Sequence, residues 1–96
     1  MNEGSKQYQI VHQLRLLVQR VKAQSAQYSD LNVEVSPPFG PGRPYSIDVS
    51  DRRFSRRIWV EAQSAQNLQS GMIEAHLSRE LRSTMMTVTR LAQRRN

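Results

Sequence analysis

Residues 43–62, RPYSIDVSDRRFSRRIWVEA, decide the fold of this chain. From residue 45 to residue 50 apolar and polar residues alternate, which is typical of a strand with one solvent-exposed face. The same alternation runs from residue 54 to residue 62. Because the period is two in both runs, the pattern predicts a β-hairpin closed through residues 50–53, with its apolar side chains on one face.

Closing the hairpin at this turn also predicts its register. The residues expected to lie opposite each other are Val49 and Phe54, Tyr45 and Ile58, Ser46 and Arg57, and Asp48 and Ser55. Four arginines surround the turn, with Trp59 beside them: Arg52, Arg53, Arg56 and Arg57. Arg56 falls on the apolar face in this register. Its side chain must therefore reach past the edge of the sheet, or a β-bulge must redirect it.

The segments on both sides of the hairpin have their own periodicities. Residues 8–27 carry apolar side chains at spacings of three, four and seven, which predicts an amphipathic helix with Ser5 as its N-cap. The same periodicity predicts a last helix over residues 72–93. Residues 31–36 alternate and predict a further strand, whereas residues 63–70 fit either a helix or a turn.

The predicted order of elements is therefore helix, strand, strand, strand, helix. We expect an α+β domain of the αβββα type, in which a three-stranded antiparallel sheet carries two long helices on one face. Residues 7–96 form this single domain, and residues 1–6 are expected to be a disordered N-terminus. The Pro- and Gly-rich residues 37–44, PPFGPGRP, form a stiff loop before the hairpin. We expect Phe39 to tuck onto the core; the alternative is that it serves as an exposed contact.

The charge of the chain is strongly positive and unevenly distributed. It has 14 basic and 8 acidic residues, and ten of the basic residues but five of the acidic ones lie after residue 42. Twelve of the basic residues are arginines. Since arginine binds phosphate through a planar fork of donors and stacks on flat rings, this bias favours a polyanionic partner. A solvated surface explains the same composition equally well.

Several classes of function lack their sequence signals. The chain has no cysteine, so disulfide bonds and thiolate metal sites are excluded. Its apolar runs are too short to cross a bilayer and no export signal is found, so we expect a cytoplasmic protein without a membrane partner. His76 and Glu80 are four residues apart on the last predicted helix, but a metal site needs further ligands. We expect no catalysis, no small-molecule substrate, no metal and no cofactor.

The arginine-rich hairpin is the main indication of function. Its guanidinium groups can face a phosphate backbone, and Trp59 with Arg57 can stack on an unpaired base. A cation–π contact between these two side chains is the structural alternative. The predicted nucleic-acid-binding residues are Arg52, Arg53, Arg56, Arg57, Trp59, Arg79, Arg82 and Arg90. We expect a small basic domain that binds RNA or DNA mainly through phosphate contacts, with little sequence specificity.

Three apolar residues lie outside the predicted buried faces and favour a second interpretation. Leu16, Met72 and Met86 form an apolar surface on the helices of the kind that often meets another protein. The alternative is therefore a non-enzymatic protein-interaction module, such as a homodimeric adaptor, chaperone or assembly factor. We expect a homodimer, which is compatible with both functions and would complete a core that is thin for 96 residues.

The element order is similar to that of two known families. It resembles the double-stranded-RNA-binding domain, and Gly40-Pro41 lies in the loop where that family often has Gly-Pro. The lysine cluster of that family, at the start of the last helix, has no counterpart in residues 70–74. The same order with longer helices and a Gly-rich loop is similar to YbaB-type nucleoid-associated proteins, which are DNA-binding dimers. Neither resemblance assigns a functional residue to this chain.

Overall fold

Two long helices and a three-stranded sheet make up the fold in the computed structural model, which describes residues 3–94. The elements in chain order are α1 (Glu3–Lys22), a short 3₁₀ helix (Ala26–Tyr28), β1 (Asn32–Ser36), β2 (Tyr45–Ser50), β3 (Ser55–Val60), α2 (Ala62–Gln66) and α3 (Gly71–Arg94). The predicted αβββα order is confirmed, with α2 as an additional short helix before α3.

The three strands form one antiparallel sheet in the order β1-β2-β3, so β1 and β3 are its two edges. On β2 the apolar residues Tyr45, Ile47 and Val49 are buried, because they face the helices. Helix α1 packs against β1 and α3, while α3 packs against β2 and β3. Both long helices therefore lie on one face of the sheet, as predicted, and we call the opposite side the open face.

The core is formed where the apolar stripes of the two helices meet the apolar face of the sheet. Leu14 of α1, Ile47 of β2 and Leu81 of α3 are each 0% exposed. The first helix was predicted to reach residue 27, but α1 ends at Lys22, so Tyr28 of the predicted stripe is buried as part of the 3₁₀ helix. The other six residues predicted for the stripe are also buried: Ile10, Val11, Leu14, Leu17, Val18 and Val21. The spacing rule identified these positions because residues three and four apart share one side of a helix.

The predicted register of the hairpin is wrong by two residues. Tyr45 lies opposite Val60 rather than Ile58, and Asp48 lies opposite Arg57 rather than Ser55. A shift of two leaves every side chain on its predicted face, so the apolar pattern fits both registers equally well. The turn decides between them, because Arg52 and Arg53 alone form the tip of the hairpin.

The helix boundaries also differ in part from the predicted ones. Helix α1 begins at Glu3, so it includes residues 3–6, and Ser5 lies inside the helix instead of capping it. Residues 1 and 2, also part of the predicted disordered N-terminus, lie outside the described residues. In the ambiguous segment, α2 ends at Gln66 and the chain then turns towards α3.

Phe39 is 93% exposed and does not reach the core, contrary to the prediction. The loop around it lines a small cavity of about 190 Å³ together with Ile10 of α1 and Ala62 of α2. A turn follows in which the Arg43 N–H donates to the Gly40 carbonyl oxygen at 3.2 Å. Phe39 directly precedes this turn, and its phenyl ring is left in solvent.

Candidate nucleic-acid interface

The tip of the hairpin is held by the side chain of Asp51. Asp51 Oδ1 accepts hydrogen bonds from the backbone N–H groups of Arg53 at 2.8 Å and Phe54 at 2.7 Å. The Asp51 N–H donates in turn to the Phe54 carbonyl oxygen at 2.9 Å. This turn, of a kind that aspartate favours, fixes the backbone of Arg52 and Arg53 and leaves both side chains exposed.

Those two backbone hydrogen bonds also keep the Asp51 carboxylate charged. The bond from Phe54 and then the bond from Arg53 are the main causes that lower the pKa of Asp51 below its ordinary value. The negative charge of Asp51 is thus directed at the backbone of its own turn. It does not form an ion pair with either arginine side chain of the tip.

The hairpin tip faces the last turns of α3 across a cleft. A cleft of about 600 Å³ is lined by Asp30, Asp51, Arg52, Arg53 and Ala92. Arg90 and Arg94 lie two residues before and after Ala92 on α3, and both are exposed. We call these four arginines, Arg52, Arg53, Arg90 and Arg94, the basic end of the molecule.

The arginines of the basic end do not converge on one point. Successive helical residues are about 100° apart, so Arg90 and Arg94 lie on the opposite side of α3 from Ala92 and the cleft. They are therefore separated from the hairpin tip by about the 10–12 Å diameter of a helix. This spread suits an extended polyanion with several phosphates better than it suits a single small anion.

Within the described residues, no ion pair neutralises an arginine of the basic end. Two ion pairs form in this part of the chain, Arg20 with Glu74 at 2.7 Å and Arg57 with Asp48 at 2.6 Å. Of the predicted nucleic-acid-binding residues, Arg57 alone has its charge neutralised in this way. Sequence reasoning did not include Arg94 in the site, although its position in the last turn of α3 was visible in the helical spacing.

Arg56 is exposed although it lies on the helix-facing side of β3. The pairing of β2 with β3 runs without interruption from Tyr45–Val60 to Ser50–Ser55, so no bulge redirects the side chain. Since β3 is an edge strand, Arg56 reaches past the edge of the sheet into solvent. The first of the two predicted explanations for Arg56 is therefore the right one.

Arg57 and Trp59 lie side by side on the open face, where Asp48 joins them. The Arg57 guanidinium carbon is 5.2 Å from the centroid of the Trp59 ring, so the predicted cation–π contact is present. Arg57 Nε donates to Asp48 Oδ1 at 2.6 Å and Nη2 donates to Oδ2 at 3.2 Å. This hydrogen-bonded pairing, more than the charge of Asp48, raises the pKa of Arg57 above its ordinary value.

The remaining predicted arginines lie farther along α3 and differ from each other. Arg79 is exposed, and about 16 Å of helix separates it from Arg90 at 1.5 Å per residue. Arg82 is half-buried and its Nε donates to Gln24 Oε1 at 3.0 Å. Arg82 therefore links α3 to the segment after α1, whereas Arg79 is free to meet a ligand.

The apolar residues behind the alternative function are not brought together. Leu16 is 45% exposed and lines an apolar groove of about 570 Å³ between α1 and the start of α3, with Leu17 and Leu68. Met72 and Met86 are exposed on α3 but do not line this groove. The predicted surface is thus reduced to the groove around Leu16.

Comparison with known proteins gives no match: no family model, curated protein or solved structure is significantly similar to this chain. The likenesses in element order therefore remain sequence-based expectations. Among residues 3–94, no helix combines the length and apolar character needed to span a membrane. In the same part of the chain, no three His, Cys, Asp or Glu side chains are grouped as a metal ion requires.

Proposed function

We propose that this protein binds nucleic acid, RNA or DNA, through phosphate contacts made by its basic end. The observation that supports this most directly is the placement of Arg52 and Arg53 beside the last turns of α3, which carry Arg90 and Arg94. No carboxylate of the described residues forms an ion pair with any of the four. Their charge is therefore available to a polyanion.

The chemistry of the basic end favours backbone contacts over base reading. Arginine places a planar fork of donors against phosphate oxygens, and these contacts carry no sequence information by themselves. The hairpin tip has two residues and presents only Arg52 and Arg53. We therefore propose a non-catalytic, cytoplasmic domain that binds nucleic acid with low sequence specificity. Arg56 on β3 and Arg79 on α3 extend its binding surface beyond the basic end.

Salt dependence of binding tests this proposal. Each phosphate contact releases counterions, so the slope of log affinity against log salt concentration should shrink by about 0.7–0.9 per arginine removed. Anisotropy titrations of labelled single- and double-stranded oligonucleotides at several salt concentrations would compare the wild type with Arg52→Gln, Arg53→Gln and Arg90→Gln. We expect each variant to bind more weakly and with a smaller slope.

Arg43 provides the matched control for these variants. It is an exposed arginine in the loop before Tyr45, at the end of β2 opposite to the hairpin tip. Arg43→Gln removes one positive charge from the protein as the other variants do, so it corrects for net charge alone. Binding that does not depend on salt, or an equal effect of Arg43→Gln and Arg52→Gln, would contradict a site at the basic end.

The groove around Leu16 supports a second candidate function, a protein-interaction module that forms a homodimer or holds a partner helix. Its lining is mostly apolar, and the Arg20–Glu74 ion pair lies at its border. Light scattering of the wild type and Leu16→Glu would test it, with Tyr8→Glu as a control, because Tyr8 is an exposed α1 residue outside the groove. A wild-type monomer would exclude the homodimer.

A further inference from the structure

Trp59 lies in an unusual place for the single tryptophan of a small domain. It is 54% exposed on the open face, away from the helices that cover the core. Tryptophan is on average a highly buried residue, since its large ring gains much from leaving water. Its exposure on β3 therefore leaves a flat aromatic surface open to a ligand.

The ring of Trp59 is held in place by its neighbours. Arg57 is fixed by its two hydrogen bonds to Asp48, and its guanidinium lies 5.2 Å from the ring centroid. Ser46 lies opposite Trp59 on β2 and is only 5% exposed, although it belongs to the open face. One guanidinium covers one face of an indole, so a second planar group can stack on the other face at little cost in ordering the side chain.

Trp59 is also connected to the basic end by a short path along β3. It follows Ser55, the first residue of β3, by four positions, which is about 13 Å at 3.3 Å per residue. Arg53 precedes this path at the tip, and Arg56 lies on the opposite, helix-facing side of β3, so it can meet a ligand only where its exposed side chain passes the edge of the sheet. On the opposite edge of the open face, β1 carries the exposed Glu34, which repels phosphate, while Glu61 is exposed just after the end of β3.

We infer that the ligand is a single-stranded nucleic acid that lies along β3, with its phosphates on Arg52, Arg53 and Arg56 and an unpaired base stacked on Trp59. Only unpaired bases offer a free face, because a duplex keeps its bases stacked inside. In this arrangement Asp48 and Arg57 are positioning residues for the ring, since the charge of Arg57 is already neutralised. The inference rests on the proposed function and narrows it to one class of nucleic acid.

The intrinsic fluorescence of the chain provides a direct test, because Trp59 is its only tryptophan. Titration with an oligothymidylate of about 12 nucleotides should quench this fluorescence, and a blunt-ended duplex of two separate strands of the same length, which has no unpaired loop, should not. In anisotropy titrations with the same labelled ligands, Trp59→Leu should bind the single strand roughly 5- to 100-fold more weakly, which corresponds to one lost base stack. Its affinity for the duplex should be that of the wild type.

Trp59→Phe serves as the second variant, because it keeps a flat ring and should recover part of the single-strand affinity. Circular dichroism of both variants would verify that the sheet is folded. Unchanged single-strand affinity in Trp59→Leu would overturn the inference that a base stacks on Trp59. If Arg52→Gln still weakens binding in that case, the proposed function stands without base stacking. A wild type that binds neither ligand would overturn both.

Discussion

Asp48 and Arg57 face each other across the hairpin and are joined by two hydrogen bonds, of 2.6 and 3.2 Å. Arg57 is exposed and Asp48 is partly exposed, so salt and water screen the pair and its contribution to stability is small. Its importance for function is different: it removes one of the four hairpin arginines from the set of free charges. A count of arginines in the sequence therefore overestimates the charge that this hairpin offers to a polyanion.

Neutralisation of Arg57 predicts different salt slopes for two neighbouring arginines. Arg56→Gln should lower the slope of log affinity against log salt by about 0.7–0.9, whereas Arg57→Gln should leave the slope nearly unchanged. Asp48→Asn removes the compensating charge, so its slope should increase by a similar amount. Anisotropy titrations measure all three. Equal slopes for Arg56→Gln and Arg57→Gln would mean that the pair does not persist in solution.

Substitutions of Arg79 and Arg82, three residues apart on α3, should affect different properties: nucleic-acid binding at Arg79 and stability of the fold at Arg82. Arg82→Ala loses the hydrogen bond to Gln24 and should lower the free energy of unfolding by about 0.5–1 kcal/mol. Arg79→Ala removes an exposed side chain and should change it by less than about 0.5 kcal/mol. Chemical denaturation measures these values. In binding, Arg79→Ala should have the larger effect; the reverse order would contradict the role assigned to each residue.

The lowered pKa of Asp51 predicts how the stability of the hairpin depends on pH. Because the folded-state pKa lies below the ordinary value of 3.8, the charged carboxylate stabilises the fold at pH values above 3.8. This stabilisation is lost as the pH falls through the lower folded-state pKa. Thermal unfolding of wild type and Asp51→Asn should therefore give a Tm difference that is constant near neutrality and shrinks in acid. A difference that is independent of pH would contradict the assignment.

Gly42 and Gly40, both in the loop before the hairpin, should respond differently to the same substitution by alanine. Gly42 has a φ of +73°, as the third residue of a turn with Pro41 at the second position requires. Gly42→Ala should destabilise the fold by about 1–2 kcal/mol, because a side chain disfavours this conformation. An added Cβ meets nothing within 4 Å at either glycine, so Gly40→Ala should be nearly neutral. Equal Tm values for the two variants would contradict this.

The predictions that succeeded depend on local periodicity. Alternation placed Ile47 and Val49 on the buried face of β2, and helical spacing placed Leu14 and Leu81 in the core. Each of these patterns is set by the geometry of its own strand or helix, so no knowledge of the neighbours is needed. The α+β class and the αβββα order followed from the same patterns.

The predictions that failed depend on which segments meet. Phe39 is apolar and was expected in the core, but the fold leaves its side chain 93% exposed. Leu16 was visible as an apolar residue outside the stripe, yet only the fold brings Leu68 next to it and forms a groove. Hydrophobicity gives the tendency of a side chain to leave water, but not the surface that is available to cover it.

The sequence by itself determined the elements, their buried faces and the excess of arginine, because these follow from residue type and spacing along one segment. Tertiary structure decided which arginines remain free. A shift of two residues in register changes no face, yet it places Asp48 opposite Arg57 and removes that charge from the site. The packing of α3 likewise brought Arg90 to the same end of the molecule as Arg52. Electrostatic interaction depends on the distance between charges in space and not on their separation in the sequence.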